Sequence, residues 1–182
     1  MPRAKGLVVP IACVVLIAFV NIDLAHRGRR DLTPLGDSPL IEFPTVPISQ
    51  AVVQQFLDDD FRFIKDTKAL PKPVIQAFTE TGGSRLTIAN PGKEFEETDV
   101  IWDASVPRKR LLFAGVSRDK CFMLYEQGGR VHFYVLALFE LSNANVMKPV
   151  WAGYCGPAAS IAELRSNVSR DRCHDPFPQV WQ

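Results

Sequence analysis

His132 and Glu126 are the pair with most to offer chemically. Glu126 closes the apolar run KCFMLYEQ, His132 opens the run RVHFYVLALFELS, and Gln127-Gly128-Gly129 lies between them. Two alternating runs broken by a glycine pair predict a β-hairpin, because glycine supplies the positive φ that tight turns need. Such a hairpin sets the carboxylate near the imidazole. A histidine beside a carboxylate can serve as a general base, so His132 with Glu126 is the candidate catalytic pair of a hydrolase. A histidine hydrogen-bonded within a sheet is the plainer expectation for the same pattern. Asp58, Asp59 and Asp60 form a second cluster. Neighbours one and two apart do not share a helix face, which favours a solvated surface or a helix cap over paired acid–base work.

Residues 151–164, WAGYCGPAASIAEL, resemble the active-site segment of thioredoxins: an apolar strand, an aromatic, then Cys-Gly-Pro leading into a helix. The resemblance implies a reactive thiolate at Cys155, since a helix N-terminus lowers a thiol pKa. Three departures count against redox catalysis. Ala158 stands where the second cysteine belongs, about 27 residues follow Cys155, and the preceding region lacks alternating strands and helices. Structural pairing is expected instead. Cys155 and Cys173 flank the run ASIAELRSNV, and in an oxidising compartment a bridge between them would pin the tail over that helix. Pairing of Cys121 with either is the alternative; otherwise Cys121 is a small buried hydrophobe. Cys173-His174-Asp175 carries three ligand types, but no Cys-x-x-Cys or His-x-x-x-His spacing exists, so neither metal nor cofactor is expected. Asn167-Val168-Ser169 fits a glycosylation sequon, although Val168 falls on an apolar helical stripe.

The elements that must position these residues can be read in outline. ISQAVVQQFL from Ile48 has helical spacing with Ser49 as a cap, and DDDFRFIKD continues it or starts a second turn, with Phe61 and Ile64 facing the same way. VIQAF predicts a short helix. SRLTIAN, TDVIWDA, RKRLLFAGVS, KCFMLYEQ, RVHFYVLALFELS and NVMKPVWAGY predict successive antiparallel strands, separated by NPG, Pro107, SRDK and QGG. In the fifth run Val131, Phe133, Val135, Ala137 and Phe139 face one way and His132, Tyr134, Leu136, Leu138 and Glu140 the other. Both faces are apolar, which predicts a central strand covered on both sides. The fold class expected is α+β: an N-terminal helix, an antiparallel meander of about five or six strands, and a C-terminal helix.

Residues 6–22 precede all of this as an uncharged apolar run after Arg3 and Lys5. A basic start and an apolar stretch of about 15 to 17 residues mark a signal-anchor or a signal peptide. Small residues are poorly placed for cleavage, which favours the anchor. Residues 26–47 hold Pro34, Pro39, Pro44 and Pro47 and read as an extended linker. The organisation expected is therefore 1–25 signal-anchor or signal peptide, 26–47 linker and 48–182 extracytoplasmic domain, with secretion after cleavage as the alternative.

Twenty-one Lys and Arg balance twenty Asp and Glu in 182 residues, so no overall basic field favours nucleic acid. Arg108, Lys109, Arg110, Arg118 and Lys120 flank two neighbouring strands as a local patch for an anionic partner. They lack the interleaved aromatics of a single-strand nucleic-acid surface. Beyond His132 and Glu126 no catalytic constellation stands out. The sequence thus points to a membrane-anchored or secreted domain that binds a protein or envelope ligand, with hydrolysis as the second reading.

Overall fold

The computed structural model describes residues 43, 48–79, 85–98, 103, 105–143 and 146–175. The apolar segment at 6–22, the linker at 26–47 apart from Phe43, and most of the run at 98–104 lie outside the described residues. Among the described residues no helix is long and apolar enough to cross a membrane.

An antiparallel sheet with a few helices forms the domain. Its main path runs β1 (Arg62–Ile64), β3 (Lys109–Val116), β4 (Lys120–Gln127), β5 (Phe133–Asn143), β6 (Val146–Cys155), and the two-residue β2 (Ile88–Ala89) adds parallel to β3. From β3 to β6 each strand pairs with the next, the meander that the alternating runs predict. Ser117 N–H donates to Lys120 O at 2.9 Å and closes the SRDK turn.

Helices cover both faces. Helix α1 (Gln50–Leu57) and helix α3 (Ile161–Ser169) lie with Phe113, Phe122, Leu124, Leu136, Leu138 and Trp151; helix α2 (Lys72–Ala77) lies on the other face, near Leu111, Met123, Tyr125, Val135 and Phe139. Val53, Leu57 and Leu164 are wholly buried, and each such side chain contributes about 1.5–3 kcal/mol of transfer free energy. Ser49 caps α1 through Val52 N–H. On α3, Ser160 Oγ accepts from Glu163 N–H at 3.2 Å while Glu163 Oε2 accepts from Ala159 N–H at 2.9 Å. That reciprocal pair satisfies donors a helix start leaves open. Arg165 ties the two helices together, donating from Nε and Nη2 to Leu57 O at 3.0 and 2.6 Å, a cation at the C-terminal end of α1.

Two expectations change. Phe61 and Ile64 do not share a helix face: Asp58 caps α1, residues 62–64 pair with β3, and the two side chains enter opposite cores. The free edge of β3 at Ala114–Val116 decides this. The β4–β5 connection is also no two-residue turn. Gly128 N–H donates to Arg108 O at 2.9 Å and Gly129 N–H to Glu97 O at 3.2 Å, so the loop docks on neighbouring chain. A Cβ on Gly128 would collide with the Glu96 carbonyl, which is why glycine is required there.

Candidate functional site

One open cleft lies at the end of the sheet where β3, β4 and β5 face the entry to α3. It has a volume of about 420 Å³. Phe113, Glu126 and Ala158 form its buried floor, Leu112 and Tyr134 are half-buried, and Lys65, Pro157, Ala159 and Glu163 stand exposed around it. Glu126 is 5% exposed, and a buried carboxylate persists only where it is paired. Its partner is Arg110, directly opposite on β3, whose Nε donates to Glu126 Oε2 at 2.6 Å. Arg110 in turn lies 4.2 Å over the Phe95 ring, a cation–π contact that orders the guanidinium.

His132 Nε2 stands 3.4 Å from Glu126 Oε1. The imidazole sits between Phe95 and Tyr134, with ring centroids at 5.8 and 5.2 Å. The hairpin therefore brings the two sequence candidates together, with His132 just before β5 and Glu126 near the end of β4. Glu126 enters the cleft; His132 lies behind it, outside the lining. Among the described residues no Ser, Thr or Cys side chain hydrogen-bonds the imidazole. Both carboxylate oxygens of Glu126 are thus engaged, so the group serves as a fixed acceptor at the cleft floor.

The cysteines occupy a different corner. Cys155 and Cys173 sulfurs are 2.05 Å apart across a separation of 18 residues. The surrounding tail is held several times over. Tyr154 and His174 exchange N–H···O bonds of 2.9 and 2.7 Å, Trp151 Nε1 donates to Asp175 Oδ1 at 2.6 Å, and Gln50 Nε2 donates to Cys173 O. Each residue of the Cys-His-Asp run is thereby engaged in tail docking. Among the described residues no group of three His, Cys, Asp or Glu side chains is placed to hold a metal ion. Cys121 is wholly buried, and burial pushes its thiol pKa up to about 12.

Asn167 of the sequon is 4% exposed, and its amide donates to Gly156 O and Pro157 O. No glycan fits on so buried an amide. Asp58 and Asp59 have separate tasks: Asp58 caps α1, while Asp59 accepts from Ser117 Oγ at 2.9 Å and approaches Lys120 Nζ at 3.4 Å. The five basic residues form no single patch, because Arg110 serves Glu126 and Lys120 serves Asp59. Arg110 is the partner of Glu126 that sequence reasoning missed, having placed it in a basic patch for an anionic partner. No protein-family model, curated protein or solved structure matches the chain. What fold and site define is an α+β domain that carries an acid-floored, mostly apolar cleft among its described residues.

Proposed function

We propose that this domain is a binding module, membrane-anchored or secreted, whose cleft engages a protein or envelope ligand. The observation that carries the reading is the cleft itself: apolar walls at Leu112, Phe113, Pro157 and Ala158 around one buried, fully partnered carboxylate. An apolar pocket with few fixed polar groups is the usual form of a ligand site. Each Glu126 oxygen keeps a second lone pair that can accept from a ligand donor, and Tyr134 offers a π-face and a hydroxyl. An anionic group would meet the buried carboxylate and bind poorly. The fitting ligand has an apolar body and a neutral or cationic donor.

The test is a fragment screen read by backbone amide shifts, on the full chain in detergent micelles. Perturbations should cluster at Leu112, Phe113, Glu126, Tyr134 and Ala158, and Glu126→Gln should weaken the hits. Scattered hits, or hits indifferent to residue 126, would overturn the reading. The anchor is tested separately: alkaline washing leaves the full-length chain in the membrane pellet, whereas a chain shortened by its first residues and found in solution would mean secretion.

The 3.4 Å approach of His132 to Glu126 favours a second reading, a hydrolase in which His132 acts as base. Turnover of ester or amide substrates that disappears in His132→Ala, with an acid limb in the pH profile, would establish it. Equal background rates in wild type and variant would remove it.

A further inference from the structure

Helix α3 buries Leu164, Asn167 and Val168. Two of these are apolar, and the third is an amide only 4% exposed. Burying an amide costs free energy unless its donors are satisfied, and asparagine is a weaker helix former than leucine. An apolar residue at 167 would complete the stripe that positions three and four apart make on a core-facing helix. The reason for the amide lies in what it reaches. Asn167 Nδ2 donates to Gly156 O at 3.2 Å and to Pro157 O at 2.9 Å, two bonds for its two N–H groups.

Those carbonyls belong to the loop that walls the cleft. Pro157, Ala158 and Ala159 line it together with Phe113, Glu126 and Tyr134. The loop leaves β6 at Cys155 and enters α3 after Ser160, and each end is tied. Cys155 is bridged to Cys173, and Ala159 N–H donates to Glu163 Oε2 at 2.9 Å. Between the ends, the hold is the Asn167 amide. Gly156 packs close against it: a Cβ there would stand 3.3 Å from Nδ2. The backbone of Asn167 is fixed as well, its carbonyl accepting from Arg172 N–H at 2.9 Å where the chain turns back after α3.

We infer that Asn167 is a positioning residue of the cleft, whose buried amide holds residues 156–158 at the distance from the sheet that a ligand requires. The inference rests on the cleft being the ligand site. A wall already held costs a ligand nothing to order, whereas a loose wall lowers affinity by the fraction of time it is formed. Asn167 lies outside the lining and acts through the loop. The burial that bars a glycan from this sequon is the burial that such a role requires.

The experiment compares wild type with Asn167→Ala, Gly156→Ala and Gly153→Ala, each as the full chain in detergent micelles, with benzylamine as the probe. Benzylamine has the apolar body and cationic donor that suit the cleft. Wild type should show saturable amide shifts at Phe113, Glu126 and Ala158. Asn167→Ala should bind benzylamine roughly 5- to 50-fold more weakly, the weight of two neutral hydrogen bonds on the formed wall. Its Ala158 and Ala159 amides should exchange faster, while those of β4 and β5 change only as far as global stability does. Gly156→Ala, which crowds the amide from the loop side, should move both readouts the same way by less. Gly153→Ala, whose clash lies at Trp151 and His174, is the destabilised control and should bind as wild type does. Should Asn167→Ala fail to fold, Gly156→Ala carries the test, and unchanged affinity there overturns the inference. A folded Asn167→Ala that melts lower yet binds benzylamine as wild type does would make the residue purely structural, overturning the inference and leaving the cleft reading intact. No benzylamine shift in the wild-type cleft would remove the cleft reading, and the inference with it.

Discussion

Replacing both bridged cysteines, Cys155→Ala with Cys173→Ala, should lower stability by an amount the loop length fixes. The bridge spans 18 residues, and the chain-entropy relation gives about 3 kcal/mol for a loop of that size at 25 °C. That term acts on the unfolded chain, so it persists even where the tail stays docked. Docking should persist, because Trp151–Asp175, Tyr154–His174 and Gln50–Cys173 contacts do not involve the sulfurs. At roughly 2–4 °C per kcal/mol for a domain of this size, the midpoint should fall by about 6–12 °C. The assay is thermal unfolding by far-ultraviolet circular dichroism, with hydrogen exchange at the amides of Tyr154 and His174 alongside. Those two amides should remain protected, exchanging faster than wild type yet slower than free peptide. A midpoint change under about 3 °C would refute the reasoning: the bridge would then constrain little that the unfolded chain does not already restrict. Full loss of protection at His174 with the sheet intact would refute the other half, showing that the sulfurs alone hold the tail.

Gly153→Ala should cost about 1–3 kcal/mol, since a Cβ there enters the Trp151 indole and meets the His174 carbonyl; the urea midpoint should fall with an unchanged slope. Asp59 is held below the usual carboxyl pKa by the Ser117 hydroxyl first, then by the Asp60 amide and Lys120, against some burial. A lowered pKa stabilises the fold above the unfolded carboxyl value and loses that benefit as pH falls through the folded one. Asp59→Asn should therefore be less stable than wild type at neutral pH, with the gap closing below about pH 4. Cys121 should resist iodoacetamide at pH 8 in the native protein and react on denaturation, as peptide mass spectrometry would show. Deleting Leu112 should leave the fold within about 1 kcal/mol of wild type, trading a half-buried side chain for a regular ladder, while fragment binding in the cleft drops.

The meander was legible because β3 to β6 are runs rich in apolar residues on both faces, separated by turn-forming residues. Both long helices were legible from spacing, and the first also from its cap at Ser49; the Ser160 cap of the last was not read. The strand at 62–64 was not. Phe61 and Ile64, three apart, fit one helix face as well as two faces of a strand, and only the unpaired edge of β3 separates these outcomes. SRLTIAN was read as a full strand and contributes two ladder residues, because it joins β3 only at Lys109 and Arg110. Local propensity says nothing about how much edge remains to pair with.

The polar sites depended on something subtler. Counting back residue by residue from the turn at Ser117–Lys120 pairs Arg110 with Gln127 and sets Leu111 opposite Glu126. The structure pairs Arg110 with Glu126 and Lys109 with Gln127, because the register shifts between Leu111 and Phe113. Leu112 is the extra residue of that bulge. One slip moves every following side chain to the other face. It turns Arg110 towards the buried carboxylate and sets Lys109 opposite Gln127. It also sets two consecutive side chains, Leu112 and Phe113, against the same core and into the wall of the cleft. Bulges concentrate where a sheet must re-aim a side chain, and here a single one orients residues on both faces. His132 and Glu126 could be found from sequence because their hairpin needs no such shift. Arg110 could not, because nothing in RKRLLFAGVS marks which leucine steps out of the ladder.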